Sequence, residues 1–363
     1  MRRRARQLRL LIGCVAVASF ALTTYAGTAF AAGRPHFEAP TLAGLGYSAV
    51  SAKTSTISTT GKRMLAAPTW VGGRFMVLTG EVVTVYVSAS YGAADSEAGE
   101  WANWFASLPH GAELERLIAY FAPLSEVEAI CGSTDLLGCY GSQRLVSIGD
   151  SSLGITPASV AAHEYGHHVA HNRLNTPWPA IDWGTKRWST YMHICARVAA
   201  GTAFPGDEDF NYELNPGEGF AESYRVLVET NGTAQGYDWP IVDASFRPEA
   251  QGLAAIRADV LSPWNGPAST TVRGTFVRRA RIWTSMVATP RDGDFRLQLS
   301  AAGGGVGDVS LLTADGRTKL AAGSWDSGGG RSLAYRVCGA RSLQIRVKRN
   351  GAAVRFRLRM TIP

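Results

Sequence analysis

TPASVAAHEYGHHVAHNRLN, residues 156–175, decides how this chain is read. Thr156 followed by Pro157 is a capping residue before proline at the first helical position, and the segment continues as a helix to about Asn172. On a helix, residues four apart lie ~40° from each other around the axis and ~6 Å apart along it. His163 and His167 therefore present their imidazoles to one point, with Glu164 beside them. Two histidines at this spacing with an adjacent glutamate are the arrangement in which the imidazoles hold zinc and the carboxylate serves a water molecule as general base. His168 lies ~140° around the helix from His163, so it reads as a satisfied polar contact, and His171, two turns along, as an exposed or supporting residue. Tyr165 reads as a packing residue.

A catalytic zinc needs a third protein ligand and an open position. A third histidine ten residues after His163, with glycine before it, is excluded because positions 170 and 173 are Ala170 and Arg173. The other route is a carboxylate on a second helix. Asn215-Pro216 repeats the helix-start signal, GEGFAESYRVLVET (217–230) runs to a stop at Asn231-Gly232, and it carries Glu218 and Glu222 one turn apart. Geometry alone leaves the third ligand open between these two, and a glutamate in a first helical turn also suits the helix dipole without any metal.

HEYGH together with EGFAESYR (218–225) resembles the zinc metallopeptidases related to the catalytic domain of anthrax toxin lethal factor. The resemblance covers about residues 80–262, with these two helices as its firm part. It implies a zincin-like domain of the gluzincin type, one catalytic Zn2+ held by His163, His167 and Glu218, Glu164 as general base, and Glu222 orienting a ligand histidine through its second ring nitrogen. It also implies a tyrosine shortly before the glutamate ligand that stabilises the oxyanion, for which Tyr212 stands at a slightly different spacing. The implied activity is hydrolysis of peptide bonds in a protein or peptide substrate. An amidase acting on cell-wall peptide, or a non-catalytic surface-binding protein on the same scaffold, are the competing readings.

The start of the chain has five arginines, an apolar run from about Leu10 to Leu22, and Ala29-Phe30-Ala31 as a small-residue cleavage signal. Residues 1–31 thus read as a secretory signal peptide, and the chain as a secreted monomer without a transmembrane segment. Residues 32–79, rich in Ala, Gly, Ser and Thr, read as an N-terminal extension or propeptide. Of the four cysteines after the leader, Cys131 with Cys139 and Cys195 with Cys338 is the favoured pairing. From Thr271 onward there are 17 Lys and Arg against 5 Asp and Glu, a net +12; residues 32–270 hold 14 against 24, a net −10. An acidic front thus precedes a basic tail.

GEVVTVYVSASY (80–91) and QRLVSIGD (143–150) read as strands; SEAGEWANWFASL (96–108), GAELERLIAYFAPL (111–124) and KRWSTYMHICARVAA (186–200) read as helices. The strand 143–150 is expected to line the cleft and pair with extended substrate. Asp207, Glu208 and Asp209 form an acidic loop that reads as solvated, with calcium as the alternative. Residues 263–270 read as a linker, and 271–363 as an all-β sandwich, similar to the β domains that follow catalytic domains in secreted bacterial peptidases. LQIRVKRNGAAVRFRLRM (343–360) reads as a hairpin about Asn350-Gly351, with Arg346 and Lys348 facing outward across from Arg355, Arg357 and Arg359. That basic face reads as serving solubility and edge protection, with docking to an anionic surface such as a cell-surface polymer, lipopolysaccharide or nucleic acid as the sharper alternative. The fold class is α+β.

Overall fold

A computed structural model describes residues 36–38, 40, 53–54, 68–92, 95–134, 136–277, 280–301, 307–325, 330–349 and 355–363. The signal-peptide reading and most of the N-terminal extension lie outside them. The fold is mixed α and β with several sheets, and its C-terminal region is built of strands.

The front is organised on a six-stranded sheet made from β1 (Lys53–Thr54), β2 (Trp70–Met76), β3 (Val82–Ser88), β4 (Ile118–Ala122), β5 (Gly138–Gly141) and β6 (Arg144–Ile148), in the order β1-β2-β3-β4-β6-β5. β3, β4 and β6 run parallel, while β2 and β5 are antiparallel to their neighbours. Helices α1 (Asp95–Ser107) and α2 (Leu124–Cys131) make the crossovers, as parallel strands require. Then come α3 (Pro157–His171), a short hairpin of β7 (Leu174–Asn175) and β8 (Trp178–Pro179), α4 (Ala180–Trp183), α5 (Lys186–Tyr191), α6 (Ile194–Ala199), α7 (Pro216–Glu229) and α8 (Ala250–Leu261).

Between sheet and helices lies an aromatic core that includes Trp101, Phe105, Phe121, Tyr165 and Tyr224. Fully burying a large apolar side chain stabilises by about 1.5–3 kcal/mol, so this cluster is what fixes α3 against the sheet. Phe37 joins it, packing on Tyr91, Trp101 and Phe121, and Ser151 donates from its backbone N and from Oγ to the Glu38 carboxylate at 2.8 Å each. A separate extension ending at residue 79 is therefore corrected in its described part: β2 is a full member of the sheet, and Phe37 belongs to its core.

Two helix expectations change. In 111–124, only Ala112–Arg116 is a 3-10 turn and Ile118–Ala122 is the parallel strand β4, since a short apolar run buried on both faces carries no helical signature of its own. The 186–200 segment is two helices, broken where His193 takes φ 55°.

The tail is two antiparallel sheets around one apolar core. One contains β10 (Ile282–Thr289), β16 (Arg341–Lys348), β12 (Val309–Thr313) and β13 (Lys319–Ala322), in that order; the other contains β14 (Ser324–Trp325), β15 (Arg331–Val337), β11 (Gly293–Ala301), β17 (Arg355–Ile362) and β9 (Ala268–Thr275). Strand β9 takes up part of the expected linker. The expected hairpin about Asn350-Gly351 does not form: β16 pairs with β10 and β12, while β17 pairs with β11 and β9 in the opposite sheet. Both strands alternate correctly, and each buries its apolar face in the same core from opposite sides. Arg346 and Lys348 consequently do not share a face with Arg355, Arg357 and Arg359.

Both disulfides are formed, Cys131–Cys139 and Cys195–Cys338. The second joins α6 to the turn after β15. No helix among the described residues is long and apolar enough to cross a membrane.

Candidate metal centre

α3 and α7 are built by the same local device. The Thr156 hydroxyl accepts from Ser159 N at 3.2 Å and Pro157 occupies the first turn; the Asn215 side chain accepts from Gly217 N at 2.9 Å and Pro216 does the same. The two helices then cross at Gly166. A Cβ on that residue would lie 2.7 Å from Ala221 Cα, so the motif's glycine lets backbone meet backbone. Its position, one turn after His163 and directly before His167, is visible in the sequence, but its role depends on the neighbouring helix.

At this crossing the buried side chains of His163, His167 and Glu218 converge, with one ligand atom from each lying within 4.8 Å of the others. These three residues form a group that could hold a metal ion, and no other such group of three occurs among the described residues. Glu218 Oε2 is 3.2 Å from His163 Nε2, and Oε1 is 3.2 Å from His167 Nε2. The Tyr212 hydroxyl donates to Glu218 Oε2 at 2.8 Å. Glu222, one turn on, faces the other side of the same histidine: His163 Nδ1 donates to its Oε2 at 3.1 Å, which leaves Nε2 free to point into the cluster. Arg225 holds Glu222 in turn, with Nη2 donating to Oε1 at 2.7 Å and Nε to Oε2 at 3.0 Å. Arg225 closes the EGFAESYR motif without a role assigned to it from sequence, though its i,i+3 spacing from Glu222 is visible there.

The electrostatics favour positive charge at this point. Burial works against a charged His163, but the Glu218 and Glu222 carboxylates overcome it and raise the imidazole to about 10. His167 is likewise raised by Glu218 against its own burial. Burial would push Glu218 up, and the two imidazoles instead hold it well below the usual carboxylate range. Glu164 goes the other way, raised by burial despite both histidines. A buried carboxylate whose hold on a proton is strengthened in this way is a candidate general base.

Glu164 lies beneath the edge strand of the sheet. A Cβ at Gly138 would sit 2.9 Å from Glu164 Oε1 and 2.7 Å from Val160 Cγ1, so only glycine lets β5 pass directly over it. The Tyr140 ring stacks against His167 with centroids 6.4 Å apart. This corrects the expectation for 143–150: β6 is flanked by β4 on one side and β5 on the other, so it has no free edge. The Cys131–Cys139 bond and the Ser142-Gln143 turn, both residues at positive φ, fold β5 back onto it.

His168 is buried away from the cluster, between the Tyr140 hydroxyl at 3.2 Å and the Glu113 carbonyl at 2.8 Å, and burial lowers it to about 4. His171 is exposed, with the Tyr140 ring beside it. Tyr165 packs on Phe105 and Tyr224. In the acidic loop, Asp207 accepts from Asp209 N, Asn211 N and Asn211 Nδ2, while Glu208 accepts from Asn215 Nδ2. Asp207 and Glu208 are thus engaged by neighbouring donors, and among the described residues the loop brings no three ligand atoms together. No protein-family model matches the chain, and no curated protein matches it.

Proposed function

We propose that the protein is a secreted zinc-dependent metalloendopeptidase whose front is a zincin-like catalytic domain of the lethal factor type. The observation that carries this is the convergence of His163, His167 and Glu218 from two crossed helices, with Glu164 and Tyr212 at the same point. Two imidazole nitrogens and a carboxylate are a zinc donor set with a position left for water. The raised imidazoles mark a place where positive charge is wanted, and a divalent cation supplies it with release of protons. The two disulfides agree with an oxidising compartment.

Zinc, when bound, lowers the pKa of a water molecule toward about 7 and polarises the scissile carbonyl. Glu164 takes the water's proton and passes it to the leaving amine, a role its burial suits. Glu222, fixed by Arg225, holds His163 in one tautomer. The Tyr212 hydroxyl turns from Glu218 to the oxygen that gains charge as the carbonyl is attacked.

Substrate positioning falls to β5. Its ladder to β6 runs through Leu137, Cys139 and Gly141, which leaves the backbone N–H and C=O of Gly138 and Tyr140 on an edge that no described strand covers, above Glu164. An extended peptide added there passes the general base. A peptide N-methylated at one paired position is expected to be cut about tenfold more slowly, the loss of one well-made hydrogen bond; an unchanged rate would remove β5 from the mechanism.

The purified chain is expected to hold zinc and to cleave casein. Glu164→Gln should keep the metal and lose activity by about 10²–10⁴, and Glu218→Ala should lose the metal. Cleavage that survives in the Glu164 variant would end this reading.

A further inference from the structure

The outward face of the five-stranded tail sheet carries charge that the metal centre does not use. Register places Arg357 of β17 directly opposite Arg273 of β9, with Arg355 and Arg359 two residues to either side on the same face. The alternate residues Phe356, Leu358 and Met360 are buried in the core, so the four arginines point to water. Among the described residues no carboxylate pairs with any of them. Farther across the sheet, Arg296 and Arg336 share the single carboxylate Asp294, at 3.6 and 3.0 Å.

Residues two apart on a strand are ~6.7 Å from each other and neighbouring strands ~4.8 Å, so four unpaired guanidinium stems rise within ~14 Å. Like charges set opposite one another weaken a sheet. Guarding an edge against aggregation needs a charge or two, and β17 is an inner strand, flanked by β11 and β9. All four are arginine, whose planar fork matches an oxyanion in a way that lysine does not. A shallow depression of about 660 Å³ lies among Arg273, Arg355, Arg357, Thr275 and Ser300.

We propose that this face docks a linear anionic glycan or polyol polymer, its phosphate, sulfate or carboxylate groups seated on Arg273, Arg355, Arg357 and Arg359 and its hydroxyls on the neighbouring Thr275, Ser300 and Gln298. The outward positions of β9, β11 and β17 carry no aromatic ring on which bases would stack. They also carry no large apolar side chain to enter a bilayer; the exposed Ile282 and Met286 are on β10, in the other sheet. Repeating anions with hydroxyls between them fit what remains. The inference is independent of the metal centre.

The test is binding of the full, disulfide-intact chain to fluorescent dextran sulfate, with neutral dextran of equal length, duplex DNA and phosphatidylglycerol vesicles as competitors. Binding is expected for dextran sulfate alone, weakening at least about tenfold between 50 and 200 mM salt as counterion release requires. Arg357→Glu with Arg359→Glu should weaken it a further tenfold or more. Lys348→Glu, an equal change in charge per residue on the opposite sheet, should leave it within about twofold. Thermal unfolding of each variant checks that it is folded. Equal losses from Lys348→Glu and from the single Arg357→Glu would reduce the effect to net charge and overturn the proposal. So would binding of neutral dextran, or tighter binding of DNA or vesicles than of dextran sulfate.

Discussion

The front and the tail solve the same problem, packing a sheet, in opposite ways. Where α3 crosses α7, the front buries His163, Glu164, His167, Glu218, Glu222 and Arg225, each less than a tenth exposed. Between its two sheets the tail packs an apolar cluster, and apart from Asp292, buried where the tail meets the front, its charges stand outside on alternate strand positions. Burying polar groups costs stability unless they find partners, and four of these six find them in a connected chain from Arg225 through Glu222, His163 and Glu218 to Tyr212. Front and tail meet at Cys195–Cys338 and around Asp292, whose backbone N donates to Thr190 Oγ1 at 3.1 Å.

Breaking the two disulfides separately should divide front from tail most widely. In the chain-entropy picture, the bond closing 143 residues is worth about 5 kcal/mol and the bond closing 8 residues about 2.5 kcal/mol. Cys195→Ser with Cys338→Ser should therefore lower the urea midpoint more, yet leave peptide cleavage at low temperature nearly intact. Cys131→Ser with Cys139→Ser should cost less stability and more activity, because it frees β5 above Glu164. A larger activity loss from the first pair would mean that the tail, too, shapes the site.

Lys186 tests the seam between the regions. It is 1% exposed, donates to the Thr176 carbonyl at 2.8 Å, and lies 4.3 Å from the Trp264 ring centre; burial lowers it to about 8 although Asp292 pulls the other way. The unfolded chain keeps this proton up to about 10.4 and the folded chain only to about 8. Between those values the unfolded state binds more protons, so this lysine makes stability rise with pH, by up to about 3 kcal/mol over the window. Lys186→Met should flatten that rise in urea unfolding between pH 8 and 10, measured with a chelator present. A slope identical to the parent's would show that the ammonium is not held out of water.

Glycines mark the contrast at smaller scale. Gly166→Ala places a Cβ 2.7 Å from the Ala221 backbone, and neither helix can yield without moving a ligand. It should cost about 1–3 kcal/mol by overpacking and weaken metal binding as well. Gly274→Ala meets the Phe356 ring, 1.9 Å from its Cζ, and should cost a similar amount with metal binding unchanged. Isothermal titration with zinc beside thermal unfolding separates the two, and equal loss of metal in both variants would contradict the division.

What was legible in the sequence follows the range of the forces involved. Caps are local, so Thr156-Pro157 and Asn215-Pro216 announce α3 and α7. Alternation is local, so the faces of β16 and β17 are readable residue by residue. Pairing is not local. Asn350-Gly351 between two alternating strands carries the same signal whether the strands join one sheet or face each other across a core, and here the core takes one from each side. The free edge over Glu164 could not be read either, because β5 is four residues, two of them glycine, and exists as a strand through its tie to β6 and Cys131. Gly138 and Gly166 become meaningful only once their neighbours are known.

The smallest expected effect bears on why the tail keeps its charge outside at some loss. Arg357 faces Arg273 across β17 and β9, flanked by Ser300 on the other side, with no carboxylate partner among the described residues. Directly opposed like charges weaken a strand pair by about 0.2–1 kcal/mol, and threonine suits an exposed strand position at least as well as arginine does. Arg357→Thr should therefore stabilise the protein slightly, with the gain shrinking as salt screens the repulsion. Urea unfolding at 20 and 500 mM salt checks both signs. If the substitution instead destabilises at low salt, the arginine stem is packing on its neighbours and the row has a structural reason; if it stabilises, the row is maintained against folding, as a surface selected for a partner would be.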